Sequence, residues 1–183
     1  MTQRADMFVD PESDPRHEPP TEGDERVLLT AFLDWQRDTL RLKCAGLDPV
    51  ELARRAVDPS TLSLLGLVRH LSDVERRWFR RIMAGEDAPD RFSSKAEPDG
   101  AFDGAAPEQA LVDEAWAAWE EEVAFANRFV AAAADLDITG RLPDPWRGDM
   151  SLRWVLIHMI EEYARHLGHA DLLRERIDGA VGQ

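Results

Sequence analysis

From residue 24 onward, apolar residues return every three or four positions, and the pattern breaks only at clusters of glycine, proline and aspartate. That period is the mark of helices with one buried face. The first predicted helix covers about 24–42, with Val27, Leu28, Ala31, Phe32, Trp35 and Leu42 on its apolar side; Gly46 and then Asp48-Pro49 end it. A short apolar patch, Val50 to Val57, predicts a turn of helix or an irregular link. The second helix is expected to begin at Ser60 or Thr61, where a hydroxyl can cap it. It turns Leu64, Leu67, Leu71, Val74, Trp78 and Ile82 inward and stops at Gly85. The third opens at Pro107, a residue suited to a first helical turn, and runs through Leu111, Ala115, Trp116, Trp119, Val123, Phe125 and Phe129 to about Ala134. The fourth starts at Ser151, reaches about Ile177 and is closed by Gly179.

No stretch alternates with the period of a strand, and there is no internal repeat. Residues 86–106 carry Pro, Gly, Asp and Ser without periodicity. So long a connection is unusual in a compact domain, and it suffices to carry the chain from one end of a bundle to the other. The second and third helices would then run parallel. The predicted fold is all-α: a four-helix bundle of up-down-down-up order, with the long crossover between helices two and three. The bundle takes residues 24–178. Residues 1–23, charged and marked by Pro11, Pro15, Pro19 and Pro20, read as a flexible or loosely draped acidic arm, and 179–183 as a tail.

The chain has 183 residues, 22 Lys plus Arg against 36 Asp plus Glu, and a formal charge of −14. One domain with an arm fits that length. The acidic balance argues against sequence-independent binding of nucleic acid and against docking on anionic membrane. The single cysteine, Cys44, excludes an intrachain disulfide. No apolar run reaches the length of a membrane span, and the start of the chain lacks the apolar run of a signal peptide. A reducing cytoplasm is the expected location.

The fourth helix carries the informative chemistry, in His158-Met159-Ile160-Glu161-Glu162-Tyr163-Ala164-Arg165-His166-Leu167-Gly168-His169. On a helical wheel, His166 projects within the apolar arc and Glu162 at its edge one turn earlier, while His158 and His169 fall toward the flank. A carboxylate and an imidazole four residues apart can meet a common point. Burying either is costly, and a divalent ion would remove the cost for both. A metal site in a bundle core needs a further ligand from a facing helix, and His70, beside the stripe of Leu67, Leu71, Val74 and Trp78, is the candidate. Three protein ligands leave a position for water or substrate, as catalytic zinc sites do. His158 and His169 are alternative ligands or partners of the ligands. Arg77, Arg81 and Trp146 are candidates for holding a substrate, the arginines through a carboxylate.

Plainer readings stand beside these. Glu162 could pair with Arg165 or Arg153, His70 could be an ordinary flank histidine, and Arg77 and Arg81 a solvated face. Cys44 reads more readily as a small packed residue than as a nucleophile. No phosphate loop, serine nucleophile elbow or cysteine cluster is present, so no catalytic nucleophile is assigned to the protein itself.

The order of motifs resembles a known family. Leu65-Gly66-Leu67-Val68-Arg69-His70-Leu71, the crossover, and Ser151-Leu152-Arg153-Trp154-Val155-Leu156-Ile157-His158 continuing to Glu162 and His166 are similar to the DinB superfamily, the DinB/YfiT-like metalloenzymes. Within it they resemble most the actinobacterial mini-circle-protein subgroup, a domain of unknown function. The resemblance spans about residues 24–178. It implies an up-down-down-up bundle and a metal held by His70, Glu162 and His166. The usual set is three histidines, and the carboxylate at Glu162 matches instead the mycothiol-dependent maleylpyruvate isomerase branch, where His-Glu-His holds zinc. Nickel or iron would suit the same donors. The resemblance further implies an S-transferase or isomerase using a low-molecular-weight thiol such as mycothiol, with a small electrophile as second substrate. A hydrolase using metal-bound water, and a non-catalytic metal-binding interaction protein that uses a bundle face to form a homodimer or to bind another protein, are the alternatives.

Overall fold

The computed structural model describes residues 8–10 and 12–182; the rest of the predicted arm and the last residue of the tail lie outside the described residues. The chain is helical. Its only β-type pairings among the described residues are the isolated bridges Thr139–Ser151 and Asp144–Gly148. Among those residues no helix is long and apolar enough to cross a membrane.

Helix α1 spans Glu25–Cys44 and is capped by Asp24, whose side chain accepts from the Val27 amide. Helix α2, Pro49–Leu52, is one turn held by a reciprocal cap between Asp48 and Glu51. Helix α3, Leu64–Glu75, starts later than the sequence pattern suggests, because Ser63 and not Ser60 or Thr61 accepts from the Gly66 amide. Over Arg76–Met83 α3 continues as a π-helix, which no apolar period announces. The Ala84 amide reaches back five residues to the Phe79 carbonyl at 2.9 Å. The wider turn keeps Trp78, Phe79, Ile82 and Met83 all buried. Such segments are rare and recur beside functional sites.

The crossover is not featureless: it contains α4, Gly100–Asp103. Arg69 fixes this turn by donating to the carbonyls of Ala101 (2.8 Å) and Gly100 (3.2 Å). Asp73 holds the preceding stretch, accepting from the Arg91 amide at 2.7 Å and the Phe92 amide at 3.1 Å. Helix α5, Gln109–Ala132, begins two residues beyond Pro107. Helix α6, Leu152–Ile177, is capped by Ser151 as expected.

α1 packs mainly against α6, and α3 against α5. Glu25 meets Arg153 at 2.7 Å, and the Lys43 carbonyl accepts from Arg174 at 2.7 Å, so α1 and α6 run in one direction. Arg76 pairs with Glu122 at 2.8 Å and Arg80 lies over Phe125, so α3 and α5 also share a direction. Between the pairs the direction reverses, since His70 meets Glu162 whereas Trp78 meets His158.

The core has a polar knot that the hydrophobic pattern hides. Arg37 donates to both oxygens of Glu75 at 2.8 Å; the Tyr163 hydroxyl donates to Glu75 at 2.9 Å, and Trp119 Nε1–H donates to the Tyr163 oxygen at 2.7 Å. The four residues come from α1, α3, α5 and α6 and are all buried. Burial works against the charge on Arg37, yet the adjoining Glu75 carboxylate raises its pKa.

At the other end of α1, Lys43 is buried against Asp171 (2.8 Å), the Phe8 ring and the Gly182 carbonyl. The described part of the arm therefore lies on the helices, with Arg16 stacked over Trp35 at 4.2 Å and donating to Thr39 at 3.0 Å.

Candidate metal centre

Midway along the α3–α6 seam, three side chains from the two helices converge. His70 Nε2 lies 3.3 Å from Glu162 Oε1, and His166 Nε2 lies 3.4 Å from the same oxygen. The two imidazole rings meet edge to face at 4.6 Å. One donor atom from each residue falls within 4.8 Å of the others, so the group could hold a metal ion. The i, i+4 spacing of Glu162 and His166 brings them to one side of α6, as the wheel requires. All three side chains are mostly buried but reach solvent, at 27%, 20% and 12% exposure for His70, Glu162 and His166.

Packing orients the rings. His70 stacks on Phe102 of α4 at 5.3 Å. That contact depends on Gly66, where an added Cβ would come within 2.7 Å of the Phe102 ring. Arg69, next to His70, ties down the same turn. On the far side, His166 Nδ1 lies 3.4 Å from His169 Nδ1. Burial first, then the neighbouring His166 and Arg165, pushes the His169 pKa down, which favours its neutral form. Hydrogen bonds from His166 and His70 hold the Glu162 carboxyl far below the usual carboxylate range.

The donor set fits a divalent ion. Two Nε2 atoms aimed at one oxygen must, with no cation between them, spend both ring protons on a single acceptor. A tetrahedral ion with bonds of about 2.0–2.1 Å separates its donors by about 3.4 Å, the spacing found between Glu162 and each histidine.

The plainer pairings for Glu162 are absent: Arg165 pairs with Glu161 at 3.0 Å, and Arg153 with Glu25 and Asp137. The remaining candidates disperse. His158 lies outside the cluster, stacked on Trp154 and edge-on to Trp78, with Nδ1 3.2 Å from Glu161. Arg77 binds Asp144 at 3.0 Å, the residue whose other oxygen accepts from the Trp146 and Arg147 amides. Trp146 itself is 87% exposed. Arg81 turns to the crossover, donating to the Ala88 carbonyl and to Asp90. Cys44 is buried, and burial pushes its thiol up to about 12, so it is no thiolate near neutral pH.

Phe102, Gly66 and the Arg37–Glu75–Tyr163–Trp119 knot are supports that the sequence reading leaves out. Glu75 on the inward side of α3, and a lone tyrosine one residue after Glu162, were the available signals.

A family model described as Mycothiol-S-transferase matches residues 28–179. No curated protein matches the chain.

Proposed function

We propose, from the premise that this chain belongs to the mycothiol-S-transferase family, that it is a metal-dependent enzyme joining a low-molecular-weight thiol of the mycothiol type to a small electrophile. The observation that carries this reading is the convergence of His70, Glu162 and His166 at donor spacing on the α3–α6 seam. Cys44 does not compete for the role: it is buried and burial pushes its thiol up to about 12, so in this reading the sulfur nucleophile comes from outside the chain. In this reading the four long helices form an up-down-down-up bundle, supported by the parallel pairs α1–α6 and α3–α5, and residues 24–178 are the working unit.

His70, Glu162 and His166 would hold the ion, with zinc the best match to two imidazoles and a carboxylate and nickel or iron compatible. Such an ion, when bound, lowers the pKa of a thiol so that the thiolate exists at neutral pH. The chain's own contribution is positional. α3 and α6 set the donor spacing, Phe102 holds the His70 ring, and His169 faces the outer nitrogen of His166. Glu162 contributes a negative charge that a third histidine would lack, leaving one net positive charge on a divalent site instead of two. The substrates in this reading are a small thiol and a small electrophile, with neither nucleic acid nor membrane involved.

Protein purified without a metal-affinity tag should carry about one divalent ion per chain. In a screen of mycothiol and other thiols against several electrophiles it should accelerate conjugation. Full metal retention in His166→Ala would remove the site. Turnover with water alone, and none with any thiol, would make the protein a hydrolase.

A further inference from the structure

The two histidines of the cluster are held in different ways. His70 is fixed by its stack on Phe102 and, among the described residues, is hydrogen-bonded only through Nε2. His166 presents Nε2 to Glu162, and its other nitrogen, Nδ1, lies 3.4 Å from Nδ1 of His169. These two rings stand edge to face, with centroids 5.3 Å apart and planes at 71°. His169 follows His166 by three residues on α6, so the helix itself sets the contact. Two ring nitrogens meet favourably only when one carries a proton and the other a lone pair. An imidazole that binds a cation through Nε2 has its lone pair there and its proton on Nδ1. The donor is then His166 Nδ1–H, the acceptor is the Nδ1 lone pair of His169, and the proton of His169 sits on its own Nε2. That lone pair is spent on His166, which leaves His169 outside the three-donor group.

We infer that His169 is the positioning residue of the metal centre, an inference that rests on the metal-dependent reading above. By accepting from His166 it fixes which nitrogen of that ring is free and holds the ring turned toward Glu162 and His70. Ligating histidines commonly give their outer N–H to a carboxylate, a carbonyl or water. Here the acceptor is a neutral imidazole, so His166 is oriented without a second negative charge beside Glu162. An apolar ring of the same size would fill the space and leave the His166 N–H without this acceptor.

The test is a zinc titration of the metal-free full chain against a competing chelator dye, for the parent, His169→Phe and His169→Asn. Asparagine carries a side-chain oxygen where histidine carries Nδ1, so the second variant keeps the acceptor and loses the ring. Zinc affinity should fall about 10- to 100-fold in His169→Phe, the usual worth of an outer partner of a metal ligand, and stay within about threefold of the parent in His169→Asn. Long-range proton–nitrogen NMR spectra of the zinc-loaded parent should show His166 protonated on Nδ1 and His169 neutral with its proton on Nε2, a pattern that packing alone does not dictate. Parent-like affinity in His169→Phe, or equal losses in the two variants, overturns the inference alone. A proton on His169 Nδ1 overturns it too, and this readout stands even if neither variant folds. A parent chain that takes up no divalent ion overturns the metal-dependent reading and the inference with it.

Discussion

Replacing Tyr163 with Phe removes one oxygen from the middle of the polar knot and leaves its volume nearly unchanged. Trp119 Nε1–H, donated to that oxygen at 2.7 Å, is left without an acceptor in a residue only 1% exposed. An unsatisfied buried donor costs about 1–3 kcal/mol. Glu75 loses the Tyr163 hydroxyl at 2.9 Å but keeps both Arg37 bonds at 2.8 Å, so this side adds about 1 kcal/mol or less. Relief from desolvating the hydroxyl offsets part of the sum. A net destabilisation of about 2 kcal/mol is expected, or a melting temperature lower by about 4–8 °C for a chain of this size. Urea denaturation should report it as a lower midpoint with an unchanged slope. Bound metal should be retained, because Glu162 and His166 keep their own contacts. Arg37→Met should cost more, about 3–5 kcal/mol, by leaving Glu75 charged and buried without its main partner; adding Glu75→Met should recover part of the loss. A Tyr163→Phe variant within about 0.5 kcal/mol of the parent would refute the reasoning, since the Trp119 donor would then have another acceptor.

Glu162→Gln should weaken metal binding by at least about tenfold, whereas Glu162→His should retain metal with altered activity; parent-like titration of the Gln variant would take Glu162 out of the ligand set. Native protein should leave Cys44 unreacted with a disulfide reagent at pH 8, where a thiol raised to about 12 holds a thiolate fraction of about one in ten thousand, and denaturation should release it. Asp73→Ala should free the Arg91 and Phe92 amides and speed protease cleavage between α3 and α4, with far-ultraviolet circular dichroism unchanged. Gly66→Ala should displace Phe102 from His70 and reduce metal affinity while leaving α3 helical, measured by metal titration.

The long helices are legible in the sequence because each buries a single apolar face, and a three-to-four period is enough to locate such a face. Glu162 and His166 are legible for the same reason: helical spacing alone brings them together. His70 could be nominated only as a residue beside a stripe, since its meeting with Glu162 depends on how α3 and α6 cross. The π-helical stretch is invisible in the pattern because pairs such as Trp78-Phe79 and Ile82-Met83 also fit an α-helix with a broad buried face. α4 is one turn long, too short for any period, and exists because Arg69 holds its carbonyls from another helix. Arg77 and Arg81 share a helical face in the sequence, yet loops folding back with Asp144 and Asp90 draw them to different partners.

The parallel packing of α1 on α6 has a consequence during synthesis. α3 and α5 can pair once the ribosome has released residue 132, with only the crossover to close between them. α1 emerges first but finds its principal partner last, across the more than one hundred residues that separate Glu25 from Arg153. Until then the apolar side of α1, including Leu33 and Leu40, is exposed on the nascent chain. Of the helix pairings, that of α1 with α6 closes the longest loop and so carries the largest closure entropy. Lys43 and Arg174 reach their buried positions only when it closes.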